Sequence, residues 1–278
     1  MSNQYRPTGF KVLPPVVKNL LIINGIFFLA SITAENVWGI DLADYLGLHY
    51  FAADKFNPFQ FITYMFMHGG FSHILFNMFA LWMFGNVLES VWGPKRFLTY
   101  YVITGIGAAI VHYVVFYFQV HPVLDIIQDF TQNPSNQKLI EFLGSSNFQI
   151  SSYEMQNHYH TFSANYNSIV GSNPDRALQL AIDYISVYKT DFLNAPVVIG
   201  ASGAVFGILL AFGMLFPNSL LYIYFAFPIK AKYFVIIYGL IELFSGFYDT
   251  SSNVAHFAHL GGMIFGFFLI LYWKKKGK

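Results

Sequence analysis

Six runs of apolar residues, roughly 16–35, 60–88, 97–118, 198–216, 231–247 and 254–273, are each near the length that crosses a bilayer. A hydrocarbon layer about 30 Å thick takes about 20 residues of helix. Inside lipid every backbone N–H and C=O must find a partner within the protein, which leaves helices as the solution for separate runs of this kind. The chain is therefore read as an all-α membrane protein, a bundle of six transmembrane helices. Its 55% hydrophobic and 10% charged residues are too apolar and too uncharged for a soluble domain. The second run follows Pro58 and is interrupted by Gly69-Gly70, so it is expected to start deep in the membrane. The first run follows Pro14-Pro15, precedes acidic residues and shows no cleavage pattern, so it is read as a retained span.

Charge sets the orientation. With six spans both termini share one side, and eleven of the fifteen Lys and Arg residues fall there, at Arg6, Lys11, Lys18, Lys95, Arg96, Lys230, Lys232, Lys274, Lys275, Lys276 and Lys278. The opposite loops hold twelve of the fourteen acids, all but Glu89 and Glu242. By the positive-inside rule both termini are cytoplasmic in a multi-pass protein of the cell (inner) membrane. A net charge of +1 offers no case for nucleic acid as a partner. The absence of cysteine excludes disulfides, thiolate zinc sites and a cysteine nucleophile.

The expected division is 1–118 for transmembrane helices one to three, 119–196 for an extracytoplasmic insert, and 197–278 for helices four to six. The insert is rich in Asn, Gln, Ser and Tyr and too long for a plain connection, so it is read as a small helical cap. Two parts look amphipathic, Val123 to Leu143 with a break at Asn133-Pro134, and Pro174 to Leu193. In the second, Ala177, Leu180, Ala181, Tyr184, Ile185 and Tyr188 recur at three-to-four spacing. His158 and His160 lie in its polar centre, without an acidic or third ligand at a spacing that suits a metal. Segment 36–57 mixes Trp38, Tyr45, Tyr50 and Phe51 with acids. It fits a loop lying in the interface and an ordinary aromatic belt equally well.

The residues that can carry chemistry sit in three spans. Ser202 lies between Gly200 and Gly203 at the head of the fourth, with Gly207 a further turn along. Glycine there lets another backbone come close, and a serine needs a base within reach to act as a nucleophile. In the sixth span His259, Gly262 and Gly266 share one face, and His256 lies one turn earlier. The glycine faces of these two helices would bring Ser202 and His259 together. In the second span His73 and Asn77 are four apart on one face, which is costly in lipid unless they meet a partner or a wet cavity. His68 fits a structural polar contact at least as well as a functional one. Glu89 is read as a carboxylate tied to loop amides or to Arg96, and Glu242 as a group that reaches the interface.

In this order the motifs resemble the rhomboid family of intramembrane serine proteases. The resemblance rests on G-x-S-G-x-x-x-G at Gly200, Ser202, Gly203 and Gly207, and on A-H-x-x-G-x-x-x-G at Ala258, His259, Gly262 and Gly266. The H-x-x-x-N of His73 and Asn77 and the E-x-x-x-G of Glu89 and Gly93 complete it. It covers the six-span core and leaves out 119–196. It implies Ser202 as nucleophile, His259 as its base, and His73 and Asn77 as oxyanion donors beside the serine N–H. It implies a dyad in which no aspartate serves as a third member, transmembrane-protein substrates admitted between the outer ends of spans two and five, the lipid bilayer as surroundings, and neither cofactor nor metal. Two features depart from the family: the Trp-Arg pair of some members is absent from 36–57, and the long insert is not general. The sequence sets no oligomeric state. Three rivals stand beside this reading: a catalytically silent relative that binds and escorts membrane proteins, a transporter with a polar midplane site, and a histidine-ligated metal oxidase using His68, His73, His256 and His259.

Overall fold

The computed structural model describes residues 13–223, 226–248 and 255–277. Arg6, Lys11 and Lys278 of the charge count, and most of the polar loop expected before the sixth span, lie outside these residues.

Helix α1 spans Pro15–Trp38, with proline in the first turn where its missing N–H costs nothing. Two of the N–H groups left over at that end, on Val16 and Val17, donate to the Glu89 carboxylate at 3.0 and 2.8 Å. The backbone leaves α1 through Gly39 in the left-handed region at φ 65°. A single turn, α2 (Ala43–Leu46), and a two-residue strand, β1 (Leu48–His49), follow.

The run expected over 60–88 is not one helix. It comprises α3 (Gln60–Thr63), a 3-10 turn (Tyr64–Phe66), an irregular stretch through Gly69-Gly70, and then α4 (Phe71–Trp92). The glycine pair lets the chain leave the helix inside the apolar run. Gly93, at φ 77°, returns its N–H to the Glu89 carbonyl, and Pro94 opens α5 (Pro94–Gln132).

At 39 residues α5 runs through the border expected at 118/119 and through Pro122. The polar residues after Phe118 continue its helix, so the change in composition there is not a change in backbone. Then come α6 (Asn136–Leu143), α7 (Tyr153–Ile169) and α8 (Pro174–Asn194). Each begins at a side-chain cap: Ser135, Ser152 and Asn173 accept from the N–H three residues on. Helix α7 is absent from the sequence expectation. Its buried residues are only Met155, Phe162 and Tyr166, too sparse for a visible apolar stripe.

The two-residue strand β2 (Val197–Val198) leads to α9 (Ser202–Leu215). A hairpin follows, β3 (Leu220–Ile223) antiparallel to β4 (Phe227–Lys230), with Leu220 opposite Lys230. The sequence reading expects only a turn there. The chain ends in α10 (Ala231–Tyr248) and α11 (His256–Lys275).

Two compact units result. One gathers residues to Leu48, Pro58–Tyr113, and those from Val198 on; the other gathers His49–Asn57 and Val114–Val197. In the first, α9 is buried over ten of its fourteen residues. Tyr100 on α5 donates to the Gly207 carbonyl at 2.8 Å, and Tyr64 donates to the Gly105 carbonyl at 2.8 Å. Arg96 lies over the Trp273 ring at 4.3 Å and near Trp92, so its guanidinium packs on aromatic faces. Helices α1, α4, α5, α10 and α11 are long and apolar enough to cross a membrane, and α9 is a shorter apolar helix among them. The protein is an all-α, multi-pass membrane bundle.

The second unit has a core of its own, built where α5, α6, α7 and α8 turn Ile127, Leu139, Phe142, Phe162, Tyr184 and Tyr188 inward. The apolar face expected on α8 is this core face: Ala177, Ala181, Tyr184, Ile185 and Tyr188 are buried and Leu180 packs at its edge. Phe162 stacks on Tyr184 with centroids 4.1 Å apart. Burial pushes the Tyr184 phenol well above the ordinary tyrosine range. His158 is paired with Asp191 at 2.7 Å, an acid 33 residues away in the chain that spacing alone did not connect to it.

Candidate active site

Ser202 is the first residue of α9, so its own N–H and the next two have no partner within the helix and lie at its positive end. The turn that delivers it depends on Gly200, whose φ of 122° disfavours any side chain. The Gly200 N–H donates to the Tyr64 carbonyl at 2.9 Å, tying this turn to the broken helix before α4. A Cβ at Gly200 would sit 2.7 Å from His73 Nε2 and 3.6 Å from Ser202 Oγ. The missing side chain thus leaves a space bordered by the serine hydroxyl and the imidazole.

His73, near the start of α4, accepts the Gly69 N–H at Nδ1, 3.3 Å away. In a neutral ring this assigns the proton to Nε2, the edge that faces Gly200. One N–H of Asn77 donates to the His73 carbonyl at 2.8 Å. His68 lies in the break before α4 with its ring 5.0 Å from that of His73, and its buried Nε2 has no hydrogen-bond partner among the described residues.

The structure brings Ser202 and His259 together: His259 Nε2 is 2.8 Å from Ser202 Oγ. Glycines let α9 and α11 close onto α5 and onto each other. A Cβ on Gly203 would come 2.4 Å from Ala108 Cβ, one on Gly207 2.7 Å from Thr104, and one on Gly266 2.2 Å from the Tyr100 hydroxyl. The closest approach, between Gly262 and Gly203, joins α11 directly to α9.

Around His259 lie residues that the sequence reading did not assign to the site. Phe206 lies flat on the imidazole, centroids 4.2 Å apart and planes 7° apart. Tyr238 stacks on Phe206 at 5.2 Å, and Phe234 on Tyr238 at 5.6 Å. Glu242 is the correction to the interface expectation. It is buried, and its Oε2 lies 2.8 Å from His259 Nδ1 and 2.7 Å from His256 Nδ1. The signal was present in the chain: Phe234, Tyr238 and Glu242 are four apart on one face of α10, and Phe206 is four after Ser202.

Among the described residues, Glu242, His256 and His259 are the group whose ligand atoms, within 4.8 Å of one another, could hold a metal. Two imidazole N–H groups on one carboxylate oxygen account for the same distances as hydrogen bonds. What the site can do without a metal is nucleophilic chemistry: a hydroxyl, a base on it, and one donor, His73 Nε2, on the other side of the space beside Gly200; the structure shows Asn77 only on the His73 carbonyl.

A family model described as Rhomboid domain matches residues 55–121 and 168–276, well over half of the chain. The matched segments include Ser202, His259, His73 and Asn77 and leave out 122–167. Rhomboid-like protein 11, chloroplastic, of Arabidopsis thaliana is 31% identical over 102 residues. That alignment covers 33% of this chain and 34% of the relative, so the chain spans about a third of that protein's length.

Proposed function

The chain belongs to the rhomboid family, and from that membership we propose that it is an intramembrane serine protease cutting peptide bonds in or near transmembrane segments of other membrane proteins. The observation that carries the reading is the 2.8 Å approach of His259 Nε2 to Ser202 Oγ inside an apolar bundle. A nucleophile and base so placed serve hydrolysis within the membrane, where the substrate is itself a transmembrane segment.

The steps follow from the placement. Ser202 Oγ attacks the scissile carbonyl carbon and its proton passes to His259 Nε2. The carbonyl oxygen, now negative, takes N–H donors from His73 Nε2, from the head of α9 and from the Asn77 amide, each worth a few kcal/mol in a site shielded from water. The protonated His259 gives its proton to the leaving amine, and water repeats the sequence on the acyl-enzyme. A peptide bond inside a helix is masked by its own hydrogen bonds, so cleavage favours substrates with helix-destabilising residues near the cut. The charge pattern supports an orientation with both termini cytoplasmic and Ser202 towards the outer leaflet.

The test is chemical labelling. Purified protein in detergent should react with a fluorophosphonate at Ser202 and cleave a co-expressed model transmembrane substrate, and Ser202→Ala should do neither. Folded wild-type protein that neither labels nor cleaves would make it a binding and escort relative.

A further inference from the structure

Glu242 is unexplained by a site of two residues. Its side chain is 9% exposed within an apolar bundle, and a buried carboxylate is sustained only by donors of matching geometry. Two are present, at His256 Nδ1 and His259 Nδ1, both on Oε2. An ionised carboxylate only accepts, so both Nδ1 atoms carry hydrogen. A neutral imidazole protonated at Nδ1 has its lone pair at Nε2, and for His259 that lone pair faces Ser202 Oγ at 2.8 Å.

We infer that Glu242 is a positioning residue that makes Ser202, His259 and Glu242 a triad, in place of the dyad implied by the family resemblance. The inference rests on the protease reading. Glu242 selects the tautomer of His259 that can accept a proton and holds the ring edge-on to the serine. When the Oγ–carbon bond forms, the carbonyl π pair moves to oxygen and the Oγ proton moves to Nε2. The imidazolium then lies against a carboxylate that keeps its charge and takes no proton. As the carbon–nitrogen bond breaks, the same proton leaves Nε2 for the amine. His256, donating to the same oxygen, fixes the carboxylate from the other side, so Glu242 is held by α11 at both histidines. Phe206 supplies the remaining constraint, a flat wall beside the ring.

The test is Glu242→Gln, which keeps the shape and removes the charge. Full-length protein in lipid, with 15N-labelled histidine, reports the His259 tautomer by NMR; cleavage of a transmembrane substrate reports kcat and KM. In wild type, Nδ1 should carry the proton and Nε2 should be bare. In Glu242→Gln the Nε2-protonated form should appear, with kcat down about 10²- to 10⁴-fold and KM within about 3-fold. A kcat within about 3-fold of wild type overturns the inference, as does a lowered kcat with an unchanged tautomer. If the variant does not fold, wild type alone decides: a bare Nδ1 on His259 overturns the inference and a protonated one supports it. Failure of the protease reading is distinct, because it shows as no Ser202 labelling in the wild type whatever the tautomer.

Discussion

Gly262 of α11 stands so close to Gly203 of α9 that a Cβ added to it would lie 1.8 Å from the Gly203 carbonyl oxygen. The obstacle is backbone, so no rotamer change relieves it, and the two helices must move apart. One helix carries Ser202 and the other His259. Gly262→Ala should therefore lower stability by about 1–3 kcal/mol, as overpacking does, and Gly262→Val by more. A thermal scan in detergent and the fluorophosphonate labelling rate should fall together. Unchanged values of both would place the helix contact elsewhere.

Removing either reacting side chain should abolish turnover. Ser202→Ala and His259→Ala are expected to give no detectable cleavage in protein that still inserts and folds. His256→Ala should retain measurable activity, since its ring reaches Glu242 and not the serine. An active His259→Ala beside a dead His256→Ala would reassign the base.

The proposed oxyanion donors should act on rate more than on binding. His73→Ala and Asn77→Ala are expected to lower kcat by about 10- to 1000-fold with smaller changes in KM. Gly200→Ala should imitate them, because its methyl would press on His73 Nε2 and its backbone would be strained at φ 122°. Steady-state cleavage kinetics of the three variants check this. A large rise in KM at constant kcat would make these groups substrate contacts.

Glu89 predicts a defect of a different kind. Glu89→Ala leaves the Val16 and Val17 N–H groups at the head of α1 without acceptors, at about 1–3 kcal/mol for each buried group. Hydrogen exchange should rise at the start of α1, and thermal stability should fall. Ser202 labelling at low temperature should persist in whatever fraction stays folded.

In the second unit, Phe162→Ala removes the ring stacked on Tyr184 and opens a cavity, a change that costs about 3–5 kcal/mol in a well-packed core. Limited proteolysis should become faster within α7 and α8. Equal digestion rates would show that this core is less tightly packed than its buried aromatics require.

Five of the six expected spans were readable, as α1, α4, α5, α10 and α11, because lipid imposes one rule on every backbone group; the fourth is the shorter apolar helix α9. The approach of Ser202 to His259 was legible from glycine spacing in part: Gly203 and Gly262 meet as expected, whereas Gly207 and Gly266 turn to Thr104 and Tyr100 of α5. Three features depended on information that spacing does not hold alone. The side of α10 that carries Glu242 is decided by packing, and a lone carboxylate near a helix end fits the surface as well as the interior. The β3–β4 hairpin lies in eleven residues where Pro228 and Lys230, with Lys232 just beyond, suggest only a turn. In α7 the core takes one side chain in seven and then one in four, which leaves the polar majority to dominate any pattern.

The imidazole of His259 is gripped on three sides: Ser202 at one nitrogen, Glu242 at the other, Phe206 against its plane. Turning the ring over would break both hydrogen bonds and unstack it in one movement. In the proposed hydrolysis it would therefore keep a single orientation. One atom, Nε2, would both collect the proton and return it, and selection between nucleophile and leaving group would pass to the substrate. The amine would have to arrive where the hydroxyl stood, so on this reading the order of events would be timed by movement of the cleaved chain rather than by motion of the base.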